Sequence, residues 1–309
     1  MENHNHEEHN HTGHSHSHDV SNLSGEKIFW VTVLNSIITI AEILGGIFSG
    51  SLALLSDSLH NLSDTISIVL SYVANKISHK EKNSKKTFGY KRAEILVAFI
   101  NATALFIISF WLIIEAYKRL THPETINSNL MLIVATIGLI ANFISVYLLE
   151  KDSHENMNIK SSYLHLISDT VSSIGVILGG LAIKYFDIVW IDPLITFLIS
   201  LYIIRETWHI LSESIDILMQ SSPKLDYEHI KKDIENIDKV KNIHHVHTWR
   251  LDEKTIHFEA HIKFEDMTLS EIEKIYEKIE HLLHEHYGIS HITIQPEVNR
   301  CDEDNLFKV

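Results

Sequence analysis

Two pairs of residues could do chemistry together. In the stretch 51–71 (SLALLSDSLHNLSDTISIVLS), His60 and Asp64 stand four apart. On an α-helix that spacing places both side chains on one face, roughly 6 Å apart along the axis, which suits an imidazole nitrogen and a carboxylate oxygen converging on one cation. The pattern recurs as His165 and Asp169 in the stretch 161–173 (SSYLHLISDTVSS). Two imidazoles and two carboxylates form an N2O2 set of the kind a tetrahedral zinc ion accepts, with cadmium and cobalt close behind. A single His-x-x-x-Asp on a soluble helix is usually a surface pair. Four such groups inside apolar sequence are either a functional site or interhelical polar contacts.

The elements that must position these residues are long and apolar. Spans are expected at about 28–48, 52–76, 93–117, 130–149, 163–184 and 188–211, each near the ~20 residues that cross a bilayer. The mean hydropathy of +0.04 hides them, because a histidine-rich head and a charged tail dilute the average. Between the second and third spans lie Lys76, Lys80, Lys82, Lys85, Lys86, Lys91 and Arg92, while the first and fifth connections are almost free of charge. By the positive-inside rule that loop is cytoplasmic, and with six spans both termini are too. Lys118 and Arg119 run mildly against this.

The net charge of −14 arises largely outside the spans, and no basic face extends beyond that one loop, so nucleic acid is not an expected partner. The single cysteine, Cys301, permits no intrachain disulfide and fits a reducing compartment. No cleavable signal peptide is expected: the first apolar stretch is too long and follows acidic, histidine-rich sequence.

Four regions are expected. Residues 1–26 are a disordered cytoplasmic tail, whose His4, His6, His9, His11, His14, His16 and His18 could gather metal weakly or simply be solvated. Residues 27–220 form a six-helix transmembrane transport domain. Within it, Glu42 is either a proton-path or supporting residue or an interface group that snorkels, and Asp57 caps its helix or supports the ligands. Residues 221–298, opened by Ser221-Ser222-Pro223, read as a soluble α-β-β-α-β domain: a helix at 226–237, strands at 241–250 and 255–264, a helix from the capping box Thr268-x-x-Glu271 to about Tyr287, and a strand at 289–295. Residues 299–309 are a tail.

In the second strand Ile256, Phe258, Ala260, Ile262 and Phe264 alternate with Thr255, His257, Glu259, His261 and Lys263, so one face is buried and the other polar. A second metal site from His244, His261 and Glu297, joined by His291, competes with the reading that these are surface histidines.

Placed on the second and fifth spans and followed by this tail, the motifs resemble the cation diffusion facilitator family, in particular its bacterial zinc and cadmium (cobalt) efflux members. The resemblance covers about residues 25–298 and rests on Ser51–Asp57 leading to His60-Asn-Leu-Ser-Asp64, on Phe88-Gly89-Tyr90-Lys-Arg-Ala-Glu94, on His165-Leu-Ile-Ser-Asp169, on His247-Thr-Trp249 and on Thr293-Ile-Gln295. It implies an α-helical membrane protein with six transmembrane helices and a cytoplasmic α+β, ferredoxin-like domain. It implies a homodimer in the cell membrane that exchanges a divalent cation for protons by alternating access, serving metal homeostasis and resistance. Carried over by position, the transport site is His60, Asp64, His165 and Asp169. The cytoplasmic zinc site includes His244, His261 and Glu297, and Arg92 pairs with Asp216 to lock the dimer. Two positions depart from the family. Lys86 and Tyr90 stand where a loop metal site would need histidine, so no zinc is expected there, and Gln295 stands where some relatives have a histidine ligand.

Two other classes compete. A membrane-embedded zinc hydrolase would need an open coordination position and a carboxylate as general base, and no His-Glu-x-x-His occurs. A metal-sensing receptor would need an output domain, and none is recognisable. The expectation is therefore a transporter and not an enzyme, with no organic cofactor.

Overall fold

The computed structural model describes residues 17–153, 157–300 and 305–307. Among these the order of elements is α1 (Ser17–Ser49), α2 (Leu52–Ser78), α3 (Ala93–Thr121), α4 (Ser128–Ser153), α5 (Met157–Phe186), α6 (Ile191–Leu218), α7 (Tyr227–Glu235), β1 (Val240–Arg250), β2 (Ile256–Phe264), α8 (Leu269–Tyr287) and β3 (His291–Glu297). Six long helices followed by α-β-β-α-β is the expected sequence of elements. The helix α1 begins at Ser17 and so takes in the end of the stretch expected to be disordered, where Gly25 is the sole helix-weakening residue and no proline intervenes. Residues 1–16, with six of the seven tail histidines, lie outside the described residues.

Among the described residues five helices, α1 and α3 to α6, contain a window long and apolar enough to cross a membrane. The helix α2 falls short because its Asp57, His60, Asn61 and Asp64 and its serines lower its hydropathy, although its 27 residues reach about 40 Å. Polarity is reversed relative to a water-soluble bundle. Phe48, Phe143, Leu178 and Phe186 are exposed, while Glu42, Asp57, Asn61, Asn142, Asp169 and Asp192 are buried. That arrangement is the one lipid demands of helices that gather their polar groups inward.

The chain divides into two compact units, residues 1–65 with 111–201 and residues 66–110 with 202–309. This division by compactness cuts through α2, α3 and α6. Within the second unit Glu213 of α6 pairs with Arg250 (2.9 Å), and the connection of α2 to α3 meets the C-terminal fold through Lys91 with Asp252 (3.3 Å) and Phe88 against His257.

In the first unit α4 packs along α5 and α1 along α4. A core of Ala53, Leu54, Met131, Ala135, Val176 and Ile183 fills the space between helices. Small residues allow the close approach: a Cβ at Gly45 would meet the Val134 methyls at 2.7 Å. The start of α2 is fixed by a buried carboxyl group. Asp192, in the first turn of α6, accepts hydrogen bonds from the Ser51 hydroxyl and from the backbone N–H groups of Leu52 (2.8 Å) and Ala53 (3.2 Å). Those amides would otherwise be unpaired at a helix N-terminus. Nearby, Arg119 donates to the Gly50 carbonyl and pairs with Glu124 (3.0 Å) and Glu115 (3.9 Å). The charge that ran against the positive-inside rule is thus neutralised within the protein.

In the second unit the C-terminal fold is a three-stranded sheet of order β1-β2-β3, antiparallel between β1 and β2 and parallel between β2 and β3. The expected alternation of β2 holds. Phe258, Ala260, Ile262 and Phe264 join Ile230, Ile234, Ile275, Ile279 and Leu283 in one core with α7 and α8. The capping box of α8 is formed, with the Thr268 N–H donating to Glu271 (2.9 Å), and Gly288 at φ 65° ends the helix. Pro296 is tolerated because β3 is an edge strand.

Replacing Asp192 with alanine leaves three donors at the start of α2 without their acceptor. We expect Asp192→Ala to destabilise the protein by about 1–3 kcal/mol, read as a lowered Tm of the purified protein in detergent, while a surface change such as Lys118→Ala leaves Tm unchanged.

Candidate metal centres

His60 and Asp64 lie on α2, and His165 and Asp169 on α5, each pair one helical turn apart as their spacing requires. The structure brings all four together. His165 Nε2 is 3.0 Å from Asp64 Oδ2 and 3.7 Å from Asp169 Oδ2, and His60 Nε2 is 3.6 Å from Asp64 Oδ2 and 3.9 Å from Asp169 Oδ1. One ligand atom from each of the four residues falls within 4.8 Å of every other. The imidazoles meet edge to face at 5.7 Å. Two neutral nitrogens and two carboxylate oxygens at this separation could close around one divalent cation with small rotamer changes.

What holds the pairs in register is a set of uncharged contacts. Asp57, one turn before His60 and buried, accepts from the hydroxyls of Ser172 and Ser173 on α5, the latter at 3.2 Å. Ser173 in turn receives Asn142 of α4 at 3.5 Å. Asp57 therefore links α2 to α5 one turn from His60. Glu42 of α1 does not snorkel. It is 1% exposed, it accepts from Asn61 Nδ2 (3.3 Å), and its carboxyl group lies where a Cβ at position 138 would be, so a side chain there would displace it. Asn61 is the residue after His60, and its contact ties α1 to the turn of α2 that carries His60.

The second cluster lies on the outer face of the C-terminal sheet. His244 of β1 is directly opposite His261 of β2, and β3 runs beside β2 with Glu297 opposite Lys263. His244 Nε2 is 3.3 Å from Glu297 Oε2, and His261 Nδ1 is 2.9 Å from Glu297 Oε1. Yet His244 Nε2, His261 Nδ1 and Glu297 Oε2 are all buried without a hydrogen-bond partner. Three buried polar atoms that face one another without bonding are costly unless a further group satisfies them. A cation would do so, and this donor set fits zinc. Asn242 Oδ1, 3.0 Å from His244 Nδ1, fixes the tautomer that leaves Nε2 free for a ligand. Gln295, at the position where a histidine ligand was sought, instead donates to Glu297 Oε1 at 3.0 Å.

His291 does not join this cluster. It stands at the opposite end of β3, paired in register with His257, and the two rings are 4.7 Å apart. Sharing a strand face with Glu297 was not enough, because six residues of extended chain span about 20 Å. Arg92 and Asp216 form no ion pair within the chain among the described residues. The cations of that region pair instead as Lys91 with Asp252 and Arg250 with Glu213. Asp192 and Asn242 were not foreseen. Asp192 carried a signal, being an acidic residue before proline at the start of an apolar span, whereas nothing marked Asn242.

A polytopic membrane protein with a paired His-Asp cluster across two helices, and a second cluster on an attached α+β domain, is built to handle metal ions. Residues 28–219 match the family described as cation efflux transmembrane domain, and residues 222–299 match the cation efflux protein, cytoplasmic domain. The chain is similar to a cadmium, cobalt and zinc/H(+)-K(+) antiporter of Bacillus subtilis, 40% identical over 270 residues that cover 86% of each chain. It is 36% identical to zinc transporter ZitB of Pectobacterium atrosepticum, covering 94% of this chain and 90% of the relative. It is 35% identical to metal cation efflux system protein CzcD of Cupriavidus metallidurans, covering 93% and 91%. The chain belongs to the cation efflux family, and is accordingly a transporter and not an enzyme.

His257, left outside both clusters, is buried between Trp249 (5.1 Å, stacked), Phe88 (5.5 Å) and His291. Burial, followed by the nearby His291 and Lys91, holds its imidazole below the usual histidine value. The folded state keeps it neutral, while the unfolded chain takes up a proton below about pH 6.5, so folding stability drops as pH falls through that value. We expect the thermal stability of the C-terminal fold to decline from pH 7 to pH 5.5, and His257→Gln to flatten that decline.

Proposed function

We propose that this protein exports divalent cations, zinc foremost with cadmium and cobalt as further substrates, in exchange for protons. The single observation that carries this reading is the convergence of His60, Asp64, His165 and Asp169 from two helices of a membrane domain. The relatives named as zinc transporters and as a cadmium, cobalt and zinc/H(+)-K(+) antiporter support the substrate class and the proton as counter-ion.

A divalent cation needs neutral imidazoles and ionised carboxylates, so zinc and protons compete for the same four side chains. Two aspartates with one divalent cation are electrically neutral, and so are two aspartates with two imidazolium groups. Each loaded form therefore avoids carrying net charge through the bilayer, and an empty, deprotonated site would carry two negative charges. This asymmetry favours exchange over leak. Asp57 with Ser172 and Ser173 keeps α2 and α5 together, and Asn61 with Glu42 ties α2 to α1, while the site opens to one side and then the other. Four protein ligands without a general base fit transient carriage and leave no position for hydrolytic chemistry.

The protein works in the cell membrane as a homodimer, a reading supported by the match of residues 222–299 to the family's cytoplasmic domain. Both termini and the lysine-rich connection of α2 and α3 face the cytoplasm, by the positive-inside argument. Zinc is held in the cytoplasmic domain by His244, His261 and Glu297, three ligands on paired strands that leave the fourth tetrahedral position to a further donor, and the bound ion stabilises the fold. In that dimer Arg92 of one protomer pairs with Asp216 of the other as the dimer lock.

The test is reconstitution in vesicles carrying zinc-sensitive and pH-sensitive dyes under an imposed proton gradient. Zinc flux and opposed proton flux are expected, both falling to the background of empty vesicles in His60→Ala, Asp64→Ala and His165→Ala although these variants still insert. Zinc binding without movement of either ion overturns the assignment. For the cytoplasmic centre, Glu297→Ala is expected to lower zinc content by one ion per chain in a His60→Ala/His165→Ala background, whereas His291→Ala leaves it unchanged.

A further inference from the structure

The strand β1 contains Ile243 and Val246, three residues apart and both in the hydrophobic core. On an unbroken strand residues an odd number apart point to opposite faces, so the pair demands an irregularity between them. It is present. His244 is opposite His261 and His247 opposite Glu259, so His245 and Val246 together oppose Ala260 alone. This is a β-bulge with His245 as its displaced residue at φ 53°, in the left-handed region that side chains other than glycine seldom adopt.

Such a conformation persists only where its surroundings fix it. Here they come from the end of the chain. The His245 N–H donates to the Asn305 carbonyl at 3.4 Å and the Val246 N–H to the Leu306 carbonyl at 2.8 Å. The Leu306 side chain is buried in the same core as Val246, and the Phe307 ring meets Tyr227 edge to face at 5.1 Å. On its other side the bulge forms part of the metal cluster. His244 immediately precedes it, and the His245 ring stacks on His261 at 4.5 Å with only 10° between planes.

We propose that Asn305–Phe307 is a clasp that sets the bulge and through it positions His244 and His261, so that docking of the C-terminus and zinc binding at His244, His261 and Glu297 reinforce one another. The inference rests on the reading of that cluster as a zinc site. Leu306 acts as a positioning residue: it touches no ligand atom, and it acts through the strand that carries one. Because the coupling is an equilibrium one it is reciprocal: whatever the clasp contributes to zinc affinity, zinc contributes to holding the clasp.

The full-length protein in detergent would be followed by hydrogen–deuterium exchange at graded free zinc, comparing peptides from β1, from β2 and from the C-terminus. We expect zinc to slow exchange at 243–248 and at 305–307 with one common midpoint, and Glu297→Ala to remove both responses. Leu306→Asp is expected to raise the midpoint for β2 about tenfold, as loss of a ligand-orienting contact does, with Leu306→Met restoring it. Exchange in α8 without zinc serves as the check that the fold persists. Protection of β1 and β2 by zinc with no change at 305–307, or an unshifted midpoint in a folded Leu306→Asp, overturns the clasp and leaves the zinc site standing. No response to zinc anywhere in the C-terminal fold of the unaltered chain overturns the zinc site and the clasp with it.

Discussion

Four ionisable side chains at membrane depth cost free energy unless something neutralises them, and the membrane unit is organised around that constraint. His60, Asp64, His165 and Asp169 oppose one another as two imidazoles and two carboxyl groups, each imidazole Nε2 lying within 3.9 Å of an oxygen of both aspartates. Their convergence requires α2 and α5 to stay in axial register within a fraction of a turn. Asp57 bridging to Ser172 and Ser173 sets that register one turn from the ligands. Asp192 sets it again at the start of α2. Because the stripe of polar residues that makes α2 functional also makes it the least apolar of the long helices, α2 depends on neighbours for its place in the membrane. The buried Asp192, Asn61 and Asp57 contacts are the form that dependence takes.

The C-terminal sheet answers a different problem with the same logic. A strand face can present only alternate residues, and adjacent strands are fixed in register, so three ligands must be found at positions the pairing allows. His244 and His261 satisfy this by standing opposite one another, and Glu297 by reaching from the neighbouring edge strand. His244 Nε2, His261 Nδ1 and Glu297 Oε2 are buried there without a hydrogen-bond partner. The loop at 79–92 bears on the same fold through Lys91, which meets both Asp252 (3.3 Å) and Thr255 (3.0 Å). The hydrogen bonds that Asp252 accepts from Lys254 and Thr255, with Lys91, outweigh burial and hold its carboxyl group below the usual range.

Much of this was legible in the chain. Residues that must share a helical face or alternate along a strand are fixed by local periodicity, so His60 with Asp64, His165 with Asp169, the buried face of β2 and the capping box of α8 could be read directly. Arg119 could be read only as an anomaly of charge, and its partners Glu124 and the Gly50 carbonyl explain it only once the chain is folded. His291 was misplaced for a related reason: a shared strand face is a local property, and distance along the strand is decided by which register position faces which.

The sequence by itself determined the elements, their amphipathic faces and the residue types of both metal clusters, because these follow from spacings of two and four residues along one chain. Only the tertiary structure decided which faces meet. The pairing of α2 with α5 through Asp57, the cap that Asp192 places on α2, the exclusion of His291, and the bulge at His245 closed by Leu306 all join residues far apart in the chain. No local period encodes such contacts, since each depends on packing and register that arise when separate elements bury their surfaces against one another.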